Sequence, residues 1–225
     1  MPKNLTDWFN RVYLINCAHR PDRLDKALKH LDSSGMADPS KVIIYPAVVG
    51  EWTGYPADWK AGRGAWGCLQ SHRRILEDVM HVRDERGAMA LCSTLILEDD
   101  VFFTDDALPR LNHFMDAVPA DWGQIYLGGQ HRHKTIPTAH PCVLRAVSVN
   151  RTHAYAVSRH AIAKVYCHIS YMTDYRNNAN HIDHQLERAH RRGDWPVYCP
   201  PKWIAGQDAG FSNISGKTNP KNLWA

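Results

Sequence analysis

Short apolar runs alternate with helical periodicity through the first hundred residues, and this alternation constrains the fold more than any other feature. Val12-Tyr-Leu-Ile-Asn16 is a run of strand type, and a helix start follows at once. Pro21 and Asp22 suit its first turn, and Leu24, Ala27, Leu28 and Leu31 recur at helical spacing. Gly35 and Pro39 end that helix, and Val42-Ile-Ile-Tyr45 is a second strand. Farther on, Leu69, His72, Ile75, Leu76 and Val79 share one helix face, and residues 91–97 form a third strand. Strands that alternate with helices predict an α/β fold, a mostly parallel sheet with helices on both faces. In such sheets ligands bind beyond the carboxyl ends of the strands. Asn16 and Glu98-Asp99-Asp100 stand at two of those ends.

The remaining chain predicts strands at residues 124–127 and 143–149, helices at 159–167 and 181–192, and a loop-rich tail from Trp195. Residues 48–65 are rich in Gly, Trp, Pro and Ala without periodicity, so they are expected to be a lid or binding loop. With 225 residues and no internal repeat, the expectation is a single domain over residues 1–225. The six cysteines are scattered without a C-x-x-C pair, which points to neither a disulfide framework nor a zinc knuckle. The start is polar, and no apolar run reaches the length of a transmembrane segment, so a cytoplasmic protein is expected. A formal charge of +4 suits an anionic ligand such as a nucleotide diphosphate, and neither demands nor excludes nucleic acid.

Three consecutive acids after a buried strand cannot all point inward, because an unpaired buried charge is very costly. Strand alternation places Glu98 and Asp100 on one face and Asp99 on the other. Two carboxylates presented together repel unless a cation lies between them, and the hard divalent ions Mn²⁺ and Mg²⁺ suit such a pair. A solvated strand end, with the acids capping a turn or pairing with Lys and Arg, is the competing reading.

Several segments together resemble glycosyltransferase family 25, the lipopolysaccharide-biosynthesis and collagen-galactosyltransferase type. They are Val12-Tyr-Leu-Ile-Asn16 with Arg20 and Asp22-Arg23, then Gly64-Ala-Trp-Gly-Cys-Leu-Gln-Ser-His72, then Leu97-Glu-Asp-Asp-Val101. Asp121-Trp122 leading to Ile125-Tyr-Leu-Gly128, Thr152-His-Ala-Tyr-Ala-Val-Ser-Arg159, Pro200 to Gln207 and Ser212-Asn-Ile214 follow in family order. Asn213 stands where the family often has an acid, so no metal or acid role is given to it. The resemblance implies a GT-A-like (Rossmann-like) fold and a nucleotide-sugar donor with uridine diphosphate as carrier. It also implies a divalent metal at the acidic motif and inversion at the anomeric carbon.

Under that resemblance the metal residues are Glu98 and Asp100, and Asn16, Arg20, Arg23, Ser71, His72, Asp99 and Gln207 bind the donor. Asp183 is the expected base, since inverting transfer needs a group that removes the acceptor hydroxyl's proton; the alternative is a first-turn acid serving its helix. His72 is either a donor-side residue or a satisfied core histidine, and Arg23 either holds phosphate or pairs with Asp22 or Asp99. His181 and His184 are metal ligands or surface residues, Tyr155 is core, and His153 is open between the two. Trp52, Trp59 and Trp66 either stack on sugar or pack the loop. The expected acceptor is a glycan hydroxyl. A hydroxymethylated pyrimidine of DNA is the alternative acceptor, drawn from the basic stretches at residues 130–134 and 188–192. A non-catalytic sugar- or nucleotide-binding module is the alternative of another class.

Overall fold

A computed structural model of the protein describes residues 2–83, 92–171, 176–177, 180–211 and 218–219. Leu91 and the segment Ser212-Asn-Ile214 lie outside the described residues. In chain order the helices are α1 (Leu5–Trp8), α2 (Pro21–Ser33), α3 (Gly50–Thr53), α4 (Arg63–Met80), α5 (Ala107–Ala117), α6 (Ile162–Ser170) and α7 (Ile182–Arg192). The strands that matter below are β1 (Arg11–Asn16), β2 (Ile43–Pro46), β3 (Thr94–Glu98), β4 (Val101–Phe103), β5 (Gln124–Tyr126), β6 (Gln130–His131), β7 (Ile136–Pro137), β8 (Leu144–Arg145), β9 (Val149–Asn150), β10 (Ala154–Val157), β11 (Val197–Cys199) and β12 (Ala205–Gln207).

The main sheet has the order β2-β1-β3-β10-β5-β11-β8-β7. β1 runs parallel to β2 and β3, and β5 parallel to β11, while β10 is inserted antiparallel between β3 and β5 and β8 runs against β11. The sheet is therefore mostly parallel in strand direction, as expected, with two strands turned against the rest. Period-two alternation sorts its residues into two cores. Val12, Leu14, Leu95, Leu97, Ala154 and Ala156 face α2 and α5 through Leu31, Leu111 and Phe114. Tyr13, Ile15, Ile96, Tyr155 and Val157 face α4, α6 and α7 through Leu69, Ile75, Ile162 and Leu186. Both faces are dry, which is why the central strands read as unbroken apolar runs.

Three expectations change. The strand expected at 143–149 is two strands, because Ala146 donates its N–H to the Val197 carbonyl (2.8 Å) at the sheet edge and the chain then leaves to pair β9 with β6. The segment 48–65 carries α3 and the first turn of α4, and it is pinned to the body. Trp59 is buried, donates Nε1 to the Gly62 carbonyl (2.8 Å) and packs edge-on to Trp66. Trp52, by contrast, is 72% exposed beside His19. Within the tail from Trp195, the described residues supply two strands that were not expected, β11 to the main sheet and β12 to β4. Among the described residues, no helix is long and apolar enough to cross a membrane.

The α7 face is tied to the sheet by a buried polar cluster. His190 Nε2 donates to Gln124 Oε1 (2.8 Å), which also accepts from Trp195 Nε1 (2.6 Å). Burial holds the His190 imidazole down at about 3, so it is neutral in the fold. An unfolded histidine titrates near about 6.5, so below that pH the unfolded chain gains a proton that the fold excludes. Stability should fall as pH drops from about 6.5 toward 3, and this one group should account for about 2 kcal/mol at pH 5. Urea unfolding across that range should show the slope in the wild type and a slope smaller by about one proton in His190→Leu.

Candidate active site

The carboxyl end of β3 is where the fold must turn three acids outward, and it does so by ending the strand. β3 stops at Glu98, and Asp99 and Asp100 form a turn before β4. The expected alternation therefore does not continue past Glu98: Asp99 and Asp100 are gathered together, and Glu98 points another way. Arg23, from the first turn of α2, lies 2.7 Å from Asp99 Oδ1 and 3.1 Å from Asp100 Oδ2. Asn16, the last residue of β1, donates Nδ2 to Asp99 Oδ2 (2.7 Å) and to the Arg20 carbonyl (3.0 Å). Gln207, the last residue of β12, donates to Asp100 Oδ2 (3.3 Å), and the Asp208 N–H donates to the Asp100 carbonyl (2.7 Å). Lys26 of α2 pairs with Asp208, so the tail is fastened to the same corner.

The three carboxylates differ electrostatically. Burial raises Glu98, but His72 and the hydrogen bond from Thr152 outweigh it, and the group ends below the ordinary carboxylate range. Burial raises Asp99, against the pull of Arg23 and Asn16. Burial and then the Glu98 charge push Asp100 up to about 7. Its Oδ1 is buried without a hydrogen-bond partner among the described residues.

Glu98 faces the α4 side. Its Oε1 accepts from Thr152 Oγ1 (2.7 Å) and lies 3.5 Å from His72 Nε2. His72 is fully buried, with Nδ1 3.1 Å from the Tyr155 hydroxyl. Ser71 is buried and its hydroxyl is used internally: it accepts from the Val48 N–H and donates to the Gly67 carbonyl, both at 2.8 Å. This locks α4 against the exit from β2, where a Cβ on Gly67 would collide with the Val48 carbonyl oxygen. Arg20 stands at the rim, paired in a bidentate fork with the exposed Asp22.

Asp183 lies in the first turn of α7, accepting from its neighbour His184 N–H (2.9 Å) and from the Arg151 N–H (3.3 Å). Arg151 has a φ of 80°, a left-handed conformation that aims its N–H at the carboxylate. The Asp183 charge reaches the site, raising both the Cys68 thiol and the Tyr126 hydroxyl in addition to their burial. His181 and His184 form an edge-on pair, with His184 also 3.7 Å from Glu187. His153 is wholly buried, and burial lowers it to about 4. Tyr155 is core, stacked on Tyr126.

The structure thus brings Asn16, Arg23, Asp99, Asp100 and Gln207 into one hydrogen-bonded corner, with Glu98 and His72 behind it. Ser71 lies deeper, Arg20 at the rim, and Asp183 on the neighbouring helix. Sequence reading missed Thr152 and Cys68. Cys68 precedes His72 by one helical turn, a spacing that was visible; the Thr152 contact depends on β10 lying beside β3, which was not.

Comparison with known proteins agrees with the motifs. The chain is 27% identical over 133 residues to the procollagen lysyl hydroxylase and glycosyltransferase of Acanthamoeba polyphaga mimivirus, a match covering 52% of this chain and 15% of that protein. It is 31% identical over 140 residues to the human inactive glycosyltransferase 25 family member 3, covering 53% and 22%. Mouse procollagen galactosyltransferase 2 matches at 27% over 181 residues, covering 70% and 27%. The likeness is to glycosyltransferase family 25. No protein-family profile matches the chain. These family 25 relatives are matched over about a quarter of their length or less. Among solved structures, a glycosyltransferase involved in glycosylation of the major capsid of PBCV-1 superposes with a TM-score of 0.39 at 10% identity, covering 72% of this chain and 66% of that one.

Arg23 contacts two carboxylates, of which Asp99 is only 9% exposed. Replacing it with Met should destabilise the protein by about 3 kcal/mol, because an uncompensated buried charge remains. Adding Asp99→Asn should recover part of the loss. A double-mutant cycle by chemical denaturation measures the coupling, and additive effects would show that the ion pair does not hold the corner together.

Proposed function

We propose that the chain is a glycosyltransferase that moves a sugar from a nucleotide diphosphate to a hydroxyl acceptor, with the donor at the carboxyl ends of β1 and β3. One observation carries this reading. Asp100 presents a buried carboxylate oxygen without a partner among the described residues, in a group driven toward holding a proton at neutral pH, beside a cluster of donors on Asn16, Arg23 and Gln207. A buried polar atom left unpaired calls for a ligand, and a cation in place of the proton would satisfy it. Glu98 and Asp100 are the residues that would hold Mn²⁺ or Mg²⁺, and such an ion would offset the charge of a departing diphosphate. Both residues offer carboxylate oxygens, the ligand type such an ion takes.

Arg20 has a guanidinium at the rim whose fork can turn from Asp22 to phosphate. Asn16 and Arg23 fix Asp99 and Asp100, and Gln207 closes the corner from the tail. His72 and Ser71 support it from α4. Asp183 takes the proton of the acceptor hydroxyl as that oxygen bonds to the anomeric carbon and the bond to the diphosphate breaks, which inverts the configuration. Uridine diphosphate is the proposed carrier and a glycan the proposed acceptor. The relatives' names speak of collagen and none of DNA, so the hydroxymethylated-pyrimidine acceptor has no support from them.

A second reading has its own observation. Some relatives are named inactive, and Arg23 occupies both Asp99 and Asp100. A binding module that keeps the fold without turnover is the reading this favours.

Thermal unfolding with a panel of nucleotide diphosphates, with and without Mn²⁺, tests the donor site. A ligand at 100 times its dissociation constant stabilises by about 2.7 kcal/mol, and the shift should need both the metal and Asp100, disappearing in Asp100→Asn. No shift with any nucleotide would remove the donor-site reading. For the base, Asp183→Asn should lower sugar transfer by about 10²–10⁴-fold while leaving that nucleotide shift in place. Transfer that persists in Asp183→Asn would exclude it as the base, and a nucleotide shift without transfer in the wild type would favour the binding module.

A further inference from the structure

Behind the acidic corner lies a second set of donors with different chemistry. The Cys68 thiol, a His72 ring nitrogen and a Glu98 carboxylate oxygen all lie within 4.8 Å of one another. Cys68 and His72 are four residues apart on α4, so both side chains leave the same helix face. Two further observations point to a missing partner rather than to packing. His72 is fully buried, yet among the described residues its Nε2 makes no hydrogen bond and faces only the Glu98 carboxylate. That nitrogen lies 3.5 Å from Glu98 Oε1, too far for a good hydrogen bond, which runs to about 3.2 Å.

The distance does suit a shared ion. Metal–ligand lengths of about 2.0–2.2 Å place the N···O edge of a tetrahedral zinc site at about 3.4 Å. The Tyr155 hydroxyl at His72 Nδ1 and the Thr152 hydroxyl at Glu98 Oε1 supply the outer partners that orient a ligating imidazole and carboxylate.

We propose that Cys68, His72 and Glu98 form a binding site for a borderline divalent cation of the zinc class, with a fourth position left to water or another oxygen. A thiol with an imidazole is a poor match for Mn²⁺ or Mg²⁺, which take oxygen ligands, and a good one for Zn²⁺ or Co²⁺. Binding converts the Cys68 thiol to a thiolate and releases its proton to solvent. The site does not depend on the sugar-transfer reading, although Glu98 serves in both.

The test uses the full chain, stripped of metal with chelator and titrated with Co²⁺ and Zn²⁺. Co²⁺ should give a thiolate-to-cobalt charge-transfer band together with the intense visible bands of a four-coordinate ion, saturating at one ion per chain and displaced by Zn²⁺. Cys68→Ser should lose the charge-transfer band, and Asp100→Asn should keep it even where the nucleotide response is gone. Failure of this site and failure of the donor site are thereby separated. Zn²⁺ should also slow alkylation of Cys68 in the wild type, mapped by peptide mass against the exposed Cys167, a readout that needs no variant to fold. Cobalt bound without a thiolate band, a band unchanged in Cys68→Ser, or alkylation of Cys68 indifferent to Zn²⁺ would overturn the proposal.

Discussion

Arg23 pairs with two adjacent carboxylates at the end of β3, and the corner of the fold is organised around that pairing. β3 is dry along its length, so the chain must emerge from the sheet carrying charge. Emerging as a turn puts Asp99 and Asp100 within reach of one guanidinium, whose Nη2 lies against both carboxylates. The helix that carries Arg23 is placed by β1, and Asn16 at the end of β1 binds the same Asp99. The ends of two parallel strands, β1 and β3, and the helix that follows β1 therefore converge on one carboxylate.

The tail completes the corner from the opposite direction. β12 pairs with β4, the short strand that follows the acidic turn, and its register puts Gln207 opposite Val101. That pairing leads the next residue back to the Asp100 carbonyl and to Lys26 of α2. Residues a hundred positions apart share one set of hydrogen bonds, and the acidic turn is closed by a strand from the far end of the chain.

How much of this the sequence could reveal depends on whether an element is specified locally. β1, α2, β2 and α4 were legible because apolar periodicity and turn residues mark them within a few residues, and Asn16 and Glu98 followed from the rule about carboxyl ends. The family motifs added Arg20, Arg23, Ser71 and Gln207. What stayed hidden is non-local: the antiparallel insertion of β10 that brings Thr152 to Glu98, the split of the 143–149 segment at Ala146, and β12. Their strands are two to four residues long, too short for a period, and their partners are fixed by the rest of the sheet. Alternation misled at Asp99 and Asp100 for a related reason, since it holds only while the chain remains a strand. Ser71 shows the same limit. A motif can mark a residue, but only the packing of α4 against Val48 reveals that its hydroxyl is already satisfied.

Burial divides the work among three neighbouring acids that look equivalent in sequence. Glu98 stays ionised because His72 and Thr152 face it, and its charge is one reason that Asp100 resists ionisation. Two like charges this close cannot both persist in a poorly solvated corner unless a cation joins them. Asp99, held between Asn16 and Arg23, acts as the fixed post between the two. The asymmetry gives the corner two ways to balance its charge, a proton on Asp100 or a cation beside it. Under the proposed donor-site reading the ion takes the place of the proton, so affinity for a cation at Asp100 rises with pH through the range where Asp100 gives up its proton.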